Sequence, residues 1–186
     1  MTTASWLRRL KGCPTIPWDA SLIRCVNKSA YEKGIPPDYL FTSGGRNRCN
    51  PKGVLCIYMA VELETALEEF KKYVLTPELQ PFITYSGHLK AAKIIDLADP
   101  ITCKYLGMTD GDLYRNFRYH KSPTRLESLG QAISSQQEIV GIRFPSAAAH
   151  EAGKSGHNLV IFREALVVPD HLKIRDPQSP LSDCWP

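Results

Sequence analysis

The apolar residues of this chain arrive in short blocks, and that pattern limits its fold more than any other feature. Residues 21–26 (SLIRCV), 54–60 (VLCIYMA), 82–85, 139–144 and 158–162 each have the length and composition of a single strand, and polar or Pro/Gly-rich segments separate them. No window approaches the ~20 consecutive apolar residues of a membrane helix. One segment keeps a helical period. Over residues 62–74 the apolar positions Leu63, Ala66, Leu67, Phe70 and Val74 recur at threes and fours. Glu62 and Glu64 at its start and Lys71 and Lys72 near its end suit the helix dipole. Glu69 lies beside Ala66 and Tyr73 on adjacent turns, so it edges the buried face, unlike Glu68. Residues 91–97 read as a further strand, and 111–119 and 126–133 as helices. Residues 27–50, punctuated by Gly34, Pro36, Pro37, Gly44 and Gly45, read as a long loop, as does the stretch through Pro145, Ser146, Gly153 and Gly156. Short strands with few helices, lacking strict strand–helix alternation, predict an α+β fold.

A length of 186 residues supports one core. The expected division is a peripheral arm over 1–20, a folded domain over 21–176 and a tail over 177–186. Pro14 and Pro17 break up the arm, Trp6 and Trp18 are its anchors, and the tail carries Pro177, Pro180 and Pro186. The balance of 23 basic against 19 acidic side chains gives +4 and a pI near 8.7. That suits an anionic small molecule, with nucleic acid the lesser expectation, because no basic stripe is clustered. The Arg8-Arg9-Leu10-Lys11 run reads as a solvated arm, and no apolar stretch of signal-peptide length follows it. The six cysteines include no Cys-x-x-Cys pair, so free thiols and a reducing, cytoplasmic setting are expected.

Several chemistries lose their sequence support. The chain has no phosphate-cradling Gly-x-x-x-x-Gly-Lys, no Gly-x-Gly-x-x-Gly, no His-Glu-x-x-His and no Gly-x-Ser-x-Gly. His88, His120, His150 and His157 form no metal-binding spacing, the cysteines match no zinc site, and no metal is expected. What remains is a dispersed set: arginines ending early segments, a tyrosine in a strand, a glutamate on the following helix, and a serine opening a Gly-rich loop.

That set resembles a known pattern. Arg48-Cys49-Asn50-Pro51-Lys52-Gly53, then the strand with Tyr58 and Ala60, then Ala66-Leu67-Glu68-Glu69, resembles the RES-domain sequence Gly-Arg-Trp-Asn-Pro-x-Gly, Tyr-x-Ala and Ala-Leu-x-Glu. Phe144-Pro145-Ser146-Ala147, followed by Gly156, Asn158 and a strand, is similar to its Pro-Ser-Ala segment, and Leu22-Ile23-Arg24 to its opening arginine strand. The likeness spans 21–176. Cys49 stands where the family has Trp, and Arg46 competes with Arg48 for the arginine position. Arg48 is preferred because Asn50-Pro51-x-Gly53 follows it in register.

The resemblance implies an ADP-ribosyltransferase-like fold with a mixed or antiparallel split β-sheet and flanking helices. It further implies a toxin that consumes NAD as substrate, with no cofactor. The acceptor of the ADP-ribose is water or inorganic phosphate; the alternative within the fold is transfer to a protein. The restraining partner is a separate antitoxin of Xre type or an immunity protein. On this reading Glu69 is the catalytic carboxylate, with Arg48 and Tyr58 beside it, and Arg24, Arg48, Tyr58 and Ser146 bind NAD. A different class, a non-catalytic module for nucleic acid or an anionic partner, is the remaining alternative. Without the pattern, Tyr58 reads as a core aromatic, Glu69 as a solvated helix residue, Arg24 and Arg48 as surface arginines, and Ser146 as a turn serine. His150 and His157 receive no role.

Overall fold

The computed structural model describes residues 2–32, 45–72, 81–175 and 182–185. Three of the apolar runs become one leaf of a split sheet. β2 (Cys56–Ala60), β5 (His157–Phe162) and β4 (Gly141–Pro145) lie side by side and antiparallel, with Tyr58 opposite Val160 and Phe144 opposite Asn158. Alternate side chains enter two different cores. Ile142, Phe144, Val160 and Phe162 join the cluster beneath the helices, while Ile57, Met59, Leu159 and Ile161 pack toward the second leaf. A leaf covered on both faces has few wet positions, which is why its strands read as nearly continuous apolar runs.

The second leaf comprises β1 (Ile16–Asn27), β3 (Phe82–Asp96), β6 (His171–Arg175) and β7 (Ser182–Trp185), again antiparallel. Its β3 alternates buried Tyr85, Leu89 and Ala91 with exposed Ser86, His88 and Lys90, so one face meets solvent. The leaves join at two places. Residues Ile94–Asp96 of β3 pair in parallel with β4, and Ile23 of β1 meets Ala60 of β2. The sheet is therefore mixed and split, as the resemblance implied. Beyond the Ile23–Ala60 contact β1 and β2 part, and a cleft opens between them.

Helices cover the first leaf. α3 (Leu63–Lys72) follows β2 directly and buries Ala66 and Phe70. α6 (Arg125–Ser134) begins at Thr124, whose hydroxyl accepts from the Glu127 N–H while Glu127 accepts from the Thr124 N–H, a reciprocal cap. α1 (Thr3–Leu10) lies against α6 with Trp6 fully buried. α2 (Lys28–Tyr31) extends β1. Among the described residues, no helix is long and apolar enough to cross a membrane.

Several local expectations are corrected. The strand expected to start at 21 starts at Ile16, and the first residues form a helix anchored by Trp6. The two strands expected at 82–85 and 91–97 are one, because β1 pairs along nearly the whole of β3. α4 (Pro100–Leu106), capped by Asp99, has too few apolar residues to show a period. Residues 111–119 divide into α5 (Asp110–Tyr114) and a 3₁₀ turn, Phe117–Tyr119. The stretch after Pro145 holds α7 (Ala147–Glu151). The glycines and prolines expected to shape the loop at 33–44, the end of the helix at 73–74 and the start of the tail at 177–181 lie outside the described residues.

Candidate functional site

The cleft has a volume of about 530 Å3, within the range of small-molecule sites. Arg24, Arg48, Tyr58 and Glu69, four of the five residues singled out in the sequence, line it together. The fifth, Ser146, is almost fully buried and stands behind Glu69.

Each wall has its own construction. On one side Glu69 projects from α3. Its Oε1 accepts from Ser146 Oγ at 2.7 Å and from Asn158 Nδ2 at 2.6 Å. Ser146 also caps α7, its Oγ accepting from the Ala149 N–H at 3.1 Å. That capping bond fixes the hydroxyl's free direction toward the carboxylate. Among the described residues Glu69 Oε2 has no hydrogen-bond partner, so one oxygen is held and the other is available. Asn158 has no assigned role in the sequence reading; a polar residue opening an apolar strand was the signal for it.

The opposite wall is built from the Arg46–Val54 segment. Asn50 is fully buried and its Nδ2 donates to the carbonyls of Gly45 and Pro51 at 2.8 and 3.1 Å. Val54 N–H closes a turn onto the Pro51 carbonyl, and Gly53 within that turn has φ +95°, a backbone conformation that favours glycine. Tyr58 Oη donates to Asn50 Oδ1 at 2.8 Å and accepts from the Cys49 N–H at 2.9 Å. Burial, together with the neighbouring Cys49 and Cys56, pushes the Tyr58 hydroxyl well above its ordinary pKa, so it stays protonated and keeps donating. The ring meets Phe144 edge-on at 6.3 Å.

Arg46 and Arg48 diverge in partner. Arg46 forms a fork onto the buried Glu127, with Nη2 to Oε2 at 2.9 Å, and donates to the carbonyls of His120 and Ser122. Burial pushes the Glu127 carboxyl up, but the Arg46 and Thr124 hydrogen bonds outweigh it and hold the group below its ordinary value. Arg48 donates instead to the carbonyls of Leu113 at 2.7 Å and Arg115 at 3.2 Å, and among the described residues no carboxylate pairs with it. Its charge remains uncompensated at the cleft. Arg24 reaches across from β1 to the Tyr58 carbonyl at 2.9 Å. Arg46 and Arg48 together brace residues 113–122, which present Asn116, Phe117 and Arg118 to the cavity.

The two histidines without an assigned role are both engaged. His150 stacks on Tyr114 with ring centroids 4.4 Å apart. His157 meets Glu62 through both its backbone N–H, at 2.9 Å, and Nδ1, at 3.1 Å. Among the described residues, no cluster of three or more His, Cys, Asp or Glu is suited to a metal ion.

A split-sheet α+β protein with a carboxylate and several guanidinium groups facing one cleft is a class suited to binding an anionic small molecule. Family comparison is more specific. The RES domain profile matches residues 22–182, and the chain belongs to the RES domain family, as its motifs implied. Its fold is similar to that of the MbcT toxin in the crystal structure of the M. tuberculosis MbcT–MbcA toxin–antitoxin complex. The TM-score is 0.63 at 18% identity, over 96% of this chain and 91% of the other. Comparison with curated protein sequences gives no match.

Proposed function

We propose that this chain is a RES-family toxin enzyme that cleaves the nicotinamide–ribose bond of NAD, with water or inorganic phosphate as acceptor. The observation that carries the reading is the Glu69 carboxylate, fixed through Oε1 and open at Oε2, in one cleft with Arg24, Arg48 and Tyr58. When the glycosidic bond breaks, its electron pair passes to the pyridinium nitrogen and neutralises the leaving group, so no general acid is required. The deficiency moves to the ribose as an oxocarbenium-like centre. A carboxylate facing that charge, and accepting from a ribose hydroxyl, lowers the barrier by a few kcal/mol. The acceptor oxygen then bonds to the anomeric carbon and releases its proton to solvent.

The guanidinium groups of Arg24 and Arg48 suit the pyrophosphate, because they stay charged at every working pH. The Tyr58 ring offers a flat face for nicotinamide while its hydroxyl is occupied. Ser146, engaged with Glu69, acts by holding the carboxylate. An antitoxin partner is supported by the family and by the toxin–antitoxin complex in which MbcT is found, and the kinds expected are an Xre-type protein or an immunity protein. A cytoplasmic site of action agrees with six free thiols.

The test is incubation of the purified protein with NAD, with and without phosphate, and resolution of the products. Release of nicotinamide with ADP-ribose identifies a glycohydrolase, and with a phosphorylated ADP-ribose a phosphorylase. Label from NAD retained on a macromolecule in lysate identifies a transferase. No nicotinamide release under any of these conditions overturns the reading.

A further inference from the structure

Helix α3 is fastened to the β4–α7–β5 segment along its whole length. Glu69 near its end takes Ser146 and Asn158, as described above. Glu62, immediately before its start, takes His157: Oε2 accepts the His157 backbone N–H at 2.9 Å and the Thr65 hydroxyl at 2.7 Å, and Oε1 lies 3.1 Å from His157 Nδ1. Glu62 and Glu69 are seven residues apart, close to two helical turns, so both project toward the same neighbour. Their partners His157 and Asn158 are adjacent on β5. Gly156 completes the run: a Cβ there would stand 2.1 Å from Thr65 Oγ, and its carbonyl accepts the Ser146 N–H at 2.8 Å. Three consecutive residues, Gly156, His157 and Asn158, therefore touch α3 or the serine that serves it.

Two further links between these segments are of another kind. Lys72–Glu151 at 2.8 Å and Lys154–Glu68 at 2.7 Å join long side chains at the surface, where an ion pair fixes little. Glu62 instead binds a strand backbone N–H, which cannot rotate away. Burial pushes its carboxyl up, yet the His157 N–H, the Thr65 hydroxyl and the His157 ring hold it below its ordinary value.

We propose that Glu62 and His157 form a clamp that sets the register of α3 against β5 and thereby aims Glu69 into the cleft. Both are positioning residues, and the proposal rests on the reading of Glu69 as the carboxylate of NAD cleavage. Ser146 and Asn158 converge on a single oxygen of Glu69, an arrangement that survives only if the helix neither slides nor rolls. Asn158 approaches from the strand position next to the clamp, so the distance between its amide and Glu69 is fixed there.

The test uses Glu62→Ala, Glu62→Gln, His157→Ala and the Glu62→Ala/His157→Ala double variant, with Lys154→Ala as the comparison for a surface link. Two quantities are read: kcat and KM for nicotinamide release, and the NMR resonance of the Asn158 side-chain amide. Misaiming a reacting group by about 1 Å costs up to ~100-fold, so Glu62→Ala is expected to lower kcat roughly 10- to 100-fold with KM changed less than about 3-fold. The double variant is expected to be no worse than Glu62→Ala, because the pair acts as a unit. Glu62→Gln, which keeps an acceptor for the His157 N–H, is expected to retain part of the rate. The Asn158 amide resonance is expected to move in Glu62→Ala and to stay in Lys154→Ala. Losses no larger than in Lys154→Ala, additive losses in the double variant, or an unmoved Asn158 amide overturn the clamp. If the wild-type chain releases no nicotinamide, the NAD reading fails, and the Asn158 resonance decides the clamp alone. If Glu62→Ala does not fold, Glu62→Gln and His157→Ala carry the same measurements.

Discussion

The two walls of the cleft are held by opposite means. The carboxylate wall is a web of side chains: Ser146, Asn158, Glu62 and His157 meet one another or Glu69 across α3 and β5. The arginine wall is a web of guanidinium groups on backbone: Arg24, Arg46 and Arg48 donate to the carbonyls of Tyr58, His120, Ser122, Leu113 and Arg115. The first arrangement fixes the direction of one anion. The second gathers positive charge while holding a loop, because a carbonyl accepts a hydrogen bond without cancelling the donor's charge. Arg46 is neutralised by Glu127, and its work is structural.

This contrast predicts distinct failures on the two sides. Glu69→Gln should leave the fold intact and reduce nicotinamide release by roughly 100-fold or more, since removing an electrostatic contribution to the transition state costs that much. Thermal unfolding and steady-state rates on the same sample check both halves. On the other wall, Arg48→Lys keeps the charge and loses the fork. A rise in KM of about 10-fold with little change in kcat is expected if charge and geometry are both needed. An unchanged KM would mean that charge alone suffices.

Stability effects follow in order of size. Glu127→Gln leaves Arg46 without its anion and removes a charged acceptor from a buried site, so Tm should fall by roughly 5–10 °C. The sign of the pH dependence follows from the direction of the Glu127 shift. Its folded carboxyl lies below the ordinary value of about 4.3, so its contribution is complete above that pH and disappears as pH falls through the folded value. Denaturation midpoints of the wild type should drop more steeply below pH 5 than those of Glu127→Gln. Tyr58→Phe, which leaves the buried Cys49 N–H and Asn50 Oδ1 without their partner, should cost about 1–3 kcal/mol in a denaturant titration. Lys154→Ala, at the solvent-exposed Glu68 pair, should change neither stability nor rate measurably.

How much of this was legible follows from which faces are covered. The strands of the first leaf are apolar at most positions, with Arg143, His157 and Asn158 the exceptions, and their runs could be read without knowing the fold. The helix over 63–72 was visible from its period. β3 was read as two pieces because its alternation of Tyr85, Gly87 and Leu89 with Ser86, His88 and Lys90 belongs to a strand with one wet face, and glycine and lysine break the signal. At the site, Arg24, Arg48, Tyr58 and Glu69 were named from a motif pattern, and they share the cleft. Ser146 was named with them, and the structure places its hydroxyl on Glu69. Asn158, Glu62 and Arg46 were left without a role because their partners lie 74 to 95 residues away in the chain.

The amino-acid order alone therefore determined the α+β class, the buried leaf and the residue types that line the cleft, because burial periodicity and motif spacing are local properties. Only the tertiary structure decided which oxygen of Glu69 is held, that Arg46 and Arg48 serve different partners, and that His157 fastens α3. Those outcomes depend on hydrogen bonds a few ångströms long between segments remote in sequence, and no local pattern encodes their direction.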